Sequence, residues 1–89
     1  MNVTITTKTQ IQEQLLTFLS RQFLVSVNEI ELDKSLVDTG IIDSMGLIEI
    51  STYIEKEYQF KITEEIMTRD NFGSVLKIVD FIVRQTNIA

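Results

Sequence analysis

The stretch of sequence that decides the fold covers residues 38–58 and reads DTGIIDSMGLIEISTYIEKEY. It opens with a turn region that contains Gly40, and from Ser44 onward apolar residues recur every three or four positions. Such spacing places one stripe of side chains on a single face of an α-helix. The members of the stripe are Leu47, Ile50, Ile54 and Tyr58. The pattern therefore predicts a helix from Ser44 to about Tyr58 with this face buried.

A first helix with the same period is predicted upstream, from about Lys8 to Leu24. Its apolar stripe consists of Ile11, Leu15, Phe18, Leu19 and Phe23. Thr7 and Gln10 have the spacing of a capping box at its start. These residues predict a helix whose apolar face packs on the helix that begins at Ser44.

A third main helix is predicted from about Ser74 to Gln85. Its apolar stripe consists of Val75, Ile78, Val79 and Ile82. Either Asn71 or Ser74 is available as its N-cap, and Gly73 stands where a turn into the helix is needed. Thr63, which is followed by two glutamates, predicts one additional short helical start.

Residues 25–42 lack a helical period and predict a long loop. The apolar residues expected to anchor it are Ile30, Leu32, Leu36 and Val37. We therefore predict an all-α fold, a small antiparallel bundle of three main helices plus one short helix, with a long loop between the first and second. Residues 1–89 are expected to form a single domain with its core at about 8–84 and frayed ends at 1–7 and 86–89.

The chain is acidic, with a formal net charge of −5 and a pI near 4.5. Six acidic residues and two lysines lie between Asp43 and Glu65, so most of the net charge is in the middle of the chain. This distribution argues against a nucleic-acid partner and favours basic protein surfaces. The chain has no cysteine, and no apolar run approaches the ~20 residues of a membrane span. We expect a cytoplasmic monomer.

The outer face of the Ser44 helix combines apolar and acidic side chains. Met45 and Ile48 lie on this face, next to Glu49, Thr52 and Glu55. Exposed apolar residues with a charged rim are typical of a protein docking surface, although single apolar residues on a surface are also ordinary. The acidic residues would steer basic partners toward this face and raise association rates without tight binding.

The position of Ser44 alone is consistent with two different roles. A hydroxyl at a helix N-terminus lies among unpaired N–H groups, where an attached phosphate ester is favoured. Alternatively, Asp43 or Ser44 is simply the N-cap of the helix, which stabilises it by about 1 kcal/mol. A calcium loop between Asp38 and Glu49 is excluded, because Gly40 offers no side-chain oxygen and Asp43 occupies the glycine position. With no histidine or cysteine in the chain, we predict neither a metal site nor catalysis.

The run from Asp38 to Gly46, together with the helical pattern around it, resembles acyl carrier proteins over residues 8–84. The resemblance implies a 4′-phosphopantetheine arm on Ser44, with Asp43 as the motif residue that a phosphopantetheinyl transferase recognises. It further implies partners that load and process a thioester: an adenylating ligase or acyltransferase, and downstream synthase enzymes with basic docking patches. The implied pathways are lipid, polyketide or other secondary-metabolite biosynthesis. Such a carrier is not itself an enzyme.

Two alternatives stay open at this point. The string from Asp43 to Gly46 is also similar to D-alanyl carriers, and a peptidyl carrier fits the same pattern. Lys56 interrupts a helix face that is more uniformly acidic in many fatty-acid carriers, which indicates a specialised pathway. A different class of function is a non-covalent helical module whose acidic groove binds a basic partner.

Overall fold

The computed structural model describes residues 8–86, which fold into four α-helices and two 3₁₀ turns without any strand. The helices are α1 (Lys8–Phe23), α2 (Ser44–Tyr58), α3 (Arg69–Phe72) and α4 (Val75–Thr86). The 3₁₀ turns are Val27–Glu29 and Glu64–Ile66. The all-α bundle with a long loop between its first and second helices is therefore confirmed. The predicted capping box at Thr7 and the frayed ends at 1–7 and 87–89 lie outside the described residues.

One hydrophobic core joins the three long helices and the loop. Its buried members are Ile11, Leu15, Leu16, Leu19, Ile30, Leu36, Ile42, Ile50, Ile54, Phe72, Val75, Ile78, Val79, Phe81 and Ile82. Helix α4 packs against α1 and α3, and it also contacts α2. Leu47 and Tyr58, the remaining members of the predicted stripe of α2, are partly buried at the edge of this core.

Two non-glycine residues with left-handed backbone follow helices α1 and α2. Leu24 has φ +57°, so α1 ends at Phe23, one residue earlier than the periodicity predicted. Gln59 has φ +61°, and its N–H donates to the Glu55 carbonyl at the end of α2. Left-handed backbone reverses the direction of the chain after a helix, which is why such residues are common there.

The loop between α1 and α2 contains a 3₁₀ turn that the spacing of apolar residues did not predict. Ser26 and Glu29 form a reciprocal capping box around it, with the Ser26 N–H donating to Glu29 Oε1 at 2.8 Å. Ile30 and Leu36 are buried and Leu32 is partly buried, as expected of anchors. Val37 is 41% exposed, so its predicted role as an anchor of the core is wrong.

The loop is joined to the α3–α4 corner by backbone hydrogen bonds. The Leu36 N–H donates to the Gly73 carbonyl at 3.0 Å, and the Leu76 N–H donates to the Leu32 carbonyl at 3.1 Å. The Ile42 N–H donates back to the Leu36 carbonyl at 3.2 Å. These bonds satisfy buried backbone groups in a segment without regular structure and fix the approach to α2.

The segment between α2 and α4 holds the predicted short helical turn after Thr63 and, in addition, α3, which was not predicted. Thr68 caps α3 by accepting a hydrogen bond from the Asn71 N–H. Ser74 rather than Asn71 caps α4, since its hydroxyl accepts from the Lys77 N–H at 3.3 Å. Helix α4 continues through Thr86, one residue past the predicted end at Gln85.

Gly73 is required at the α3–α4 corner for a reason other than a left-handed turn. Its φ is −71°, which any residue adopts. A Cβ at this position would lie 2.5 Å from the Arg69 carbonyl oxygen. The glycine therefore permits a close backbone approach. Among residues 8–86, none of the helices has both the length and the apolar character needed to cross a bilayer.

Candidate cofactor attachment site

Ser44 is the first residue of α2, and its side chain is exposed. The residue before it, Asp43, is the N-cap: its Oδ1 accepts a hydrogen bond from the Gly46 N–H at 3.0 Å. Of the two candidate caps, Asp43 therefore does the capping. Within the described part of the chain, no hydrogen bond occupies the Ser44 hydroxyl.

Glycines on both sides of Ser44 fix its position. Gly40 has φ +80°, a left-handed conformation that redirects the chain just before α2. Gly46 is buried, and a Cβ there would lie 2.8 Å from Ile42 Cβ and 3.0 Å from a ring carbon of Phe23. The first turn of α2 therefore rests directly on the loop and on the end of α1, with Ser44 facing outward.

A small cavity of about 230 Å³ lies beside Ser44, between α2 and α3. Its lining residues are Ser35, Val37, Ser44, Leu47, Met67, Thr68, Arg69, Phe72 and Gly73. Among these, Arg69 has the one charged side chain. Arg69 Nη1 lies 3.7 Å from Asp38 Oδ2, and both side chains are largely exposed. The lining of the cavity thus combines four apolar side chains and three hydroxyl-bearing side chains with one cation.

The predicted docking residues lie together on the exposed side of α2, with one exception. Met45 is 64% exposed and Ile48 is 52% exposed. Glu49 and Thr52 are also exposed; Glu49 accepts a hydrogen bond from the Gln22 side chain, and Thr52 Oγ1 donates to the Ile48 carbonyl. The structure thus brings two apolar and two polar members of the set into one surface next to Ser44. Their role in docking stays a prediction.

Glu55 is the exception, because its side chain is only partly exposed and its carboxylate binds the backbone of the segment after α2. Glu55 Oε2 accepts a hydrogen bond from the Ile62 N–H at 2.7 Å. This bond ties the segment after α2 back to the helix. The helical wheel placed Glu55 on the outer face but had no means of showing this contact.

Two features near the site were not predicted from the helical periodicity of the sequence. A surface groove of about 470 Å³ runs between α1 and α2, where the rings of Phe18 and Tyr53 stack at 4.2 Å. Burial raises the pKa of the Tyr53 hydroxyl above its ordinary value, and the nearby Tyr58 and Glu57 raise it further. The second missed feature is Arg69, which lies 25 positions from Ser44 in sequence. The one local signal was Thr68, a favourable N-cap for the short helix that carries Arg69.

Comparison of the sequence with known proteins identifies the family of the chain. The sequence pattern of the family described as "Phosphopantetheine attachment site" matches residues 13–82. The chain belongs to this family of phosphopantetheine carriers. The D-alanyl carrier proteins of Streptococcus pyogenes serotype M5 (strain Manfredo) and serotype M1 are each 32% identical to it over 69 residues. The aligned region covers 78% of this chain and 86% of each relative.

The family determines the cofactor, which is a covalently attached phosphopantetheine. The predicted resemblance to acyl carriers and the predicted cofactor are both confirmed. The residues around Ser44 fit such a group, because the hydroxyl is exposed, is without a hydrogen bond in the described structure, and adjoins a cavity. No group of three or more His, Cys, Asp or Glu side chains that would hold a metal occurs within residues 8–86.

Proposed function

We propose that this chain is a non-catalytic carrier whose phosphopantetheine arm is esterified to Ser44. The observation that carries the proposal is the division of roles at the start of α2: Asp43 caps the helix, and the Ser44 hydroxyl is left exposed without a hydrogen bond in the described structure. Every other serine within residues 13–82 has its hydroxyl in a hydrogen bond, so a modifying enzyme can reach Ser44 without breaking one. Asp43, held rigidly by its own hydrogen bond, supplies a fixed carboxylate beside the hydroxyl for recognition.

The modification is a phosphoryl transfer from coenzyme A. The Ser44 oxygen forms a bond to phosphorus, the diphosphate bond of coenzyme A breaks, and adenosine 3′,5′-bisphosphate leaves. The hydroxyl proton passes to a base of the phosphopantetheinyl transferase, since this chain has no histidine or cysteine. The transferase supplies the catalysis, and the carrier supplies the geometry. We place this step in the cytoplasm, where coenzyme A is available.

The proposed cargo is a short acyl or aminoacyl group held as a thioester on the thiol at the end of the arm. The similarity to D-alanyl carrier proteins supports the aminoacyl alternative, with an adenylating ligase as the loading enzyme.

Partner enzymes are proposed to dock on the exposed side of α2. Met45 and Ile48 supply apolar contact there, and Glu49 with Thr52 forms a polar rim. Acidic side chains next to an apolar patch attract basic partners and speed encounter more than they strengthen the complex. A carrier that must visit several enzymes in turn needs such brief contacts. We propose that it does so as a monomer.

Intact-mass spectrometry tests the attachment. The purified chain is incubated with coenzyme A, Mg²⁺ and a phosphopantetheinyl transferase of broad specificity. We expect a quantitative gain of one phosphopantetheinyl group on the unaltered chain and none on Ser44→Ala. Ser51→Ala is the matched control, since Ser51 is buried within the same helix, and it should gain the group as the unaltered chain does. Absence of any gain on the unaltered chain would refute the carrier function and favour a non-covalent module.

The cargo is tested separately on the holo form. Adenylating ligases for D-alanine and for medium-chain fatty acids are offered in parallel, and the thioester is identified by mass and by its release with hydroxylamine. We expect aminoacyl loading to exceed medium-chain acyl loading. The reverse order would refute the aminoacyl cargo and favour an acyl carrier of lipid, polyketide or other secondary-metabolite synthesis.

A further inference from the structure

We infer that Arg69 is the counter-ion of the arm's phosphodiester: when Ser44 is modified, the guanidinium leaves Asp38 and binds the phosphodiester oxygens. The inference rests on the proposed function, because it requires an arm on Ser44. It assigns a role to a residue in α3 that the attachment motif does not contain.

The first argument is location. Ser44 and Arg69 line the same cavity, which is small enough that an anion attached to Ser44 is within reach of a long arginine side chain on its wall. Arg69 is 80% exposed, so its guanidinium is free to reorient. No other charged side chain of the described residues lines this cavity.

The second argument is the charge around Ser44. Asp43 precedes it directly, and Asp38, six positions upstream, lies beside Arg69, which lines the Ser44 cavity. A phosphodiester at Ser44 adds a further negative charge to this surface, where like charges repel. Arg69 is the cation that the fold brings to this point. Arginine is also well suited to the role, since its planar fork binds two phosphate oxygens at once.

The third argument is that the existing partner of Arg69 holds it weakly. The contact with Asp38 is 3.7 Å long and both side chains are exposed, which is the kind of ion pair that contributes little to stability. Exchange for a phosphodiester therefore costs little.

The backbone of Arg69, in contrast, is fixed. The Gly73 N–H donates to the Arg69 carbonyl at 3.0 Å, and the Gly73 carbonyl accepts from Leu36. Asn71 donates to the Ile66 carbonyl at 2.9 Å and accepts from Arg84 of α4 at 2.9 Å. The guanidinium can therefore move while the backbone of α3 stays in place, so that binding the phosphodiester orders one side chain without rearranging the fold.

The test compares thermal unfolding of apo and holo forms. Holo protein is prepared with coenzyme A and a transferase, and complete conversion is checked by intact mass for each variant. The variants are Arg69→Gln and, as a control with the same loss of charge, Lys77→Gln. Lys77 lies in a neighbouring cleft with Arg69 but does not line the cavity at Ser44. We expect the holo-minus-apo difference in Tm to be about 2–5 °C smaller in Arg69→Gln than in the unaltered chain and unchanged in Lys77→Gln.

A second variant tests the exchange from the other side. Asp38→Asn removes the competing partner, so the holo-minus-apo difference in Tm should grow. The phosphorus-31 resonance of the holo form should also shift between the unaltered chain and Arg69→Gln, and not between the unaltered chain and Lys77→Gln. Full modification with equal Tm differences in all four proteins would overturn the inference while leaving the carrier function in place. Failure of the unaltered chain to gain mass would overturn both.

Discussion

Replacement of Gly46 by alanine tests how tightly the start of α2 is held against the rest of the molecule. The added methyl group would lie 2.8 Å from Ile42 Cβ, 3.0 Å from Phe23 Cε1 and 3.2 Å from Phe23 Cζ. The Phe23 ring has some freedom to move, but Ile42 Cβ is attached directly to the backbone of a buried residue. Relief therefore requires that α2 itself shift away from the loop.

Two opposing effects determine the magnitude. Overpacking of a well-packed site costs about 1–3 kcal/mol. Alanine in a helix is favoured over glycine by about 1 kcal/mol, which offsets part of that cost. The net expectation for Gly46→Ala is a loss of up to about 2 kcal/mol in the free energy of unfolding. For a domain of this size such a loss lowers Tm by up to roughly 15 °C.

The assay is urea unfolding followed by far-ultraviolet circular dichroism, with thermal unfolding as a second measurement. Phe23→Leu and the double variant complete a double-mutant cycle, because leucine withdraws the two ring atoms from the added methyl group. We expect Gly46→Ala to be less destabilising in the Phe23→Leu background than in the unaltered chain. A gain in stability from Gly46→Ala alone would show that helix propensity outweighs the contact and would refute the packing argument.

Two further predictions concern the surface of α2 and its tyrosines. Glu49→Lys should slow modification of Ser44 by a basic transferase and reduce the salt dependence of the rate. Glu13→Lys on α1 has the same charge change and should alter neither quantity. Equal modification rates for the two variants would show that Glu49 is not part of the docking surface. Because the pKa of Tyr53 is raised in the folded state, its contribution to stability is complete below the ordinary tyrosine pKa of 10.0 and is lost as the pH rises above that value. Tyr53→Phe should therefore flatten the alkaline fall in the free energy of unfolding, and an unchanged slope would contradict the burial of that hydroxyl.

The long helices could be predicted from the sequence because their apolar residues recur with the helical period along most of each helix. For α2 the apolar stripe and the Asp43–Ser44 start gave the bounds that the structure shows, Ser44–Tyr58. The short elements could not be found in this way. The turn at Val27–Glu29 and helix α3 span only three and four residues, too few for a helical period to be visible. Their caps, Ser26 with Glu29 and Thr68, were the signals that remained.

The exposed position of Ser44 and of Met45, Ile48, Glu49 and Thr52 on α2 could also be predicted, since these residues lie within one helix. The attachment of the arm to Ser44 stays a prediction. What the sequence could not supply was the contacts made by residues distant in the chain. Glu55 accepts a hydrogen bond from a backbone N–H seven positions later, and Arg69, at the start of α3, lines the cavity at Ser44. Val37 follows a buried leucine, yet it faces outward, because the direction of a loop side chain depends on the path of the loop.

The capping of α2 by Asp43 has a consequence for the proposed attachment at Ser44. Since the Gly46 N–H is bound by the Asp43 carboxylate, an arm on the Ser44 oxygen would displace no capping hydrogen bond of α2. We therefore expect addition or removal of the arm to leave the helix start unchanged, so that the same surface is offered to a transferase in every round of modification.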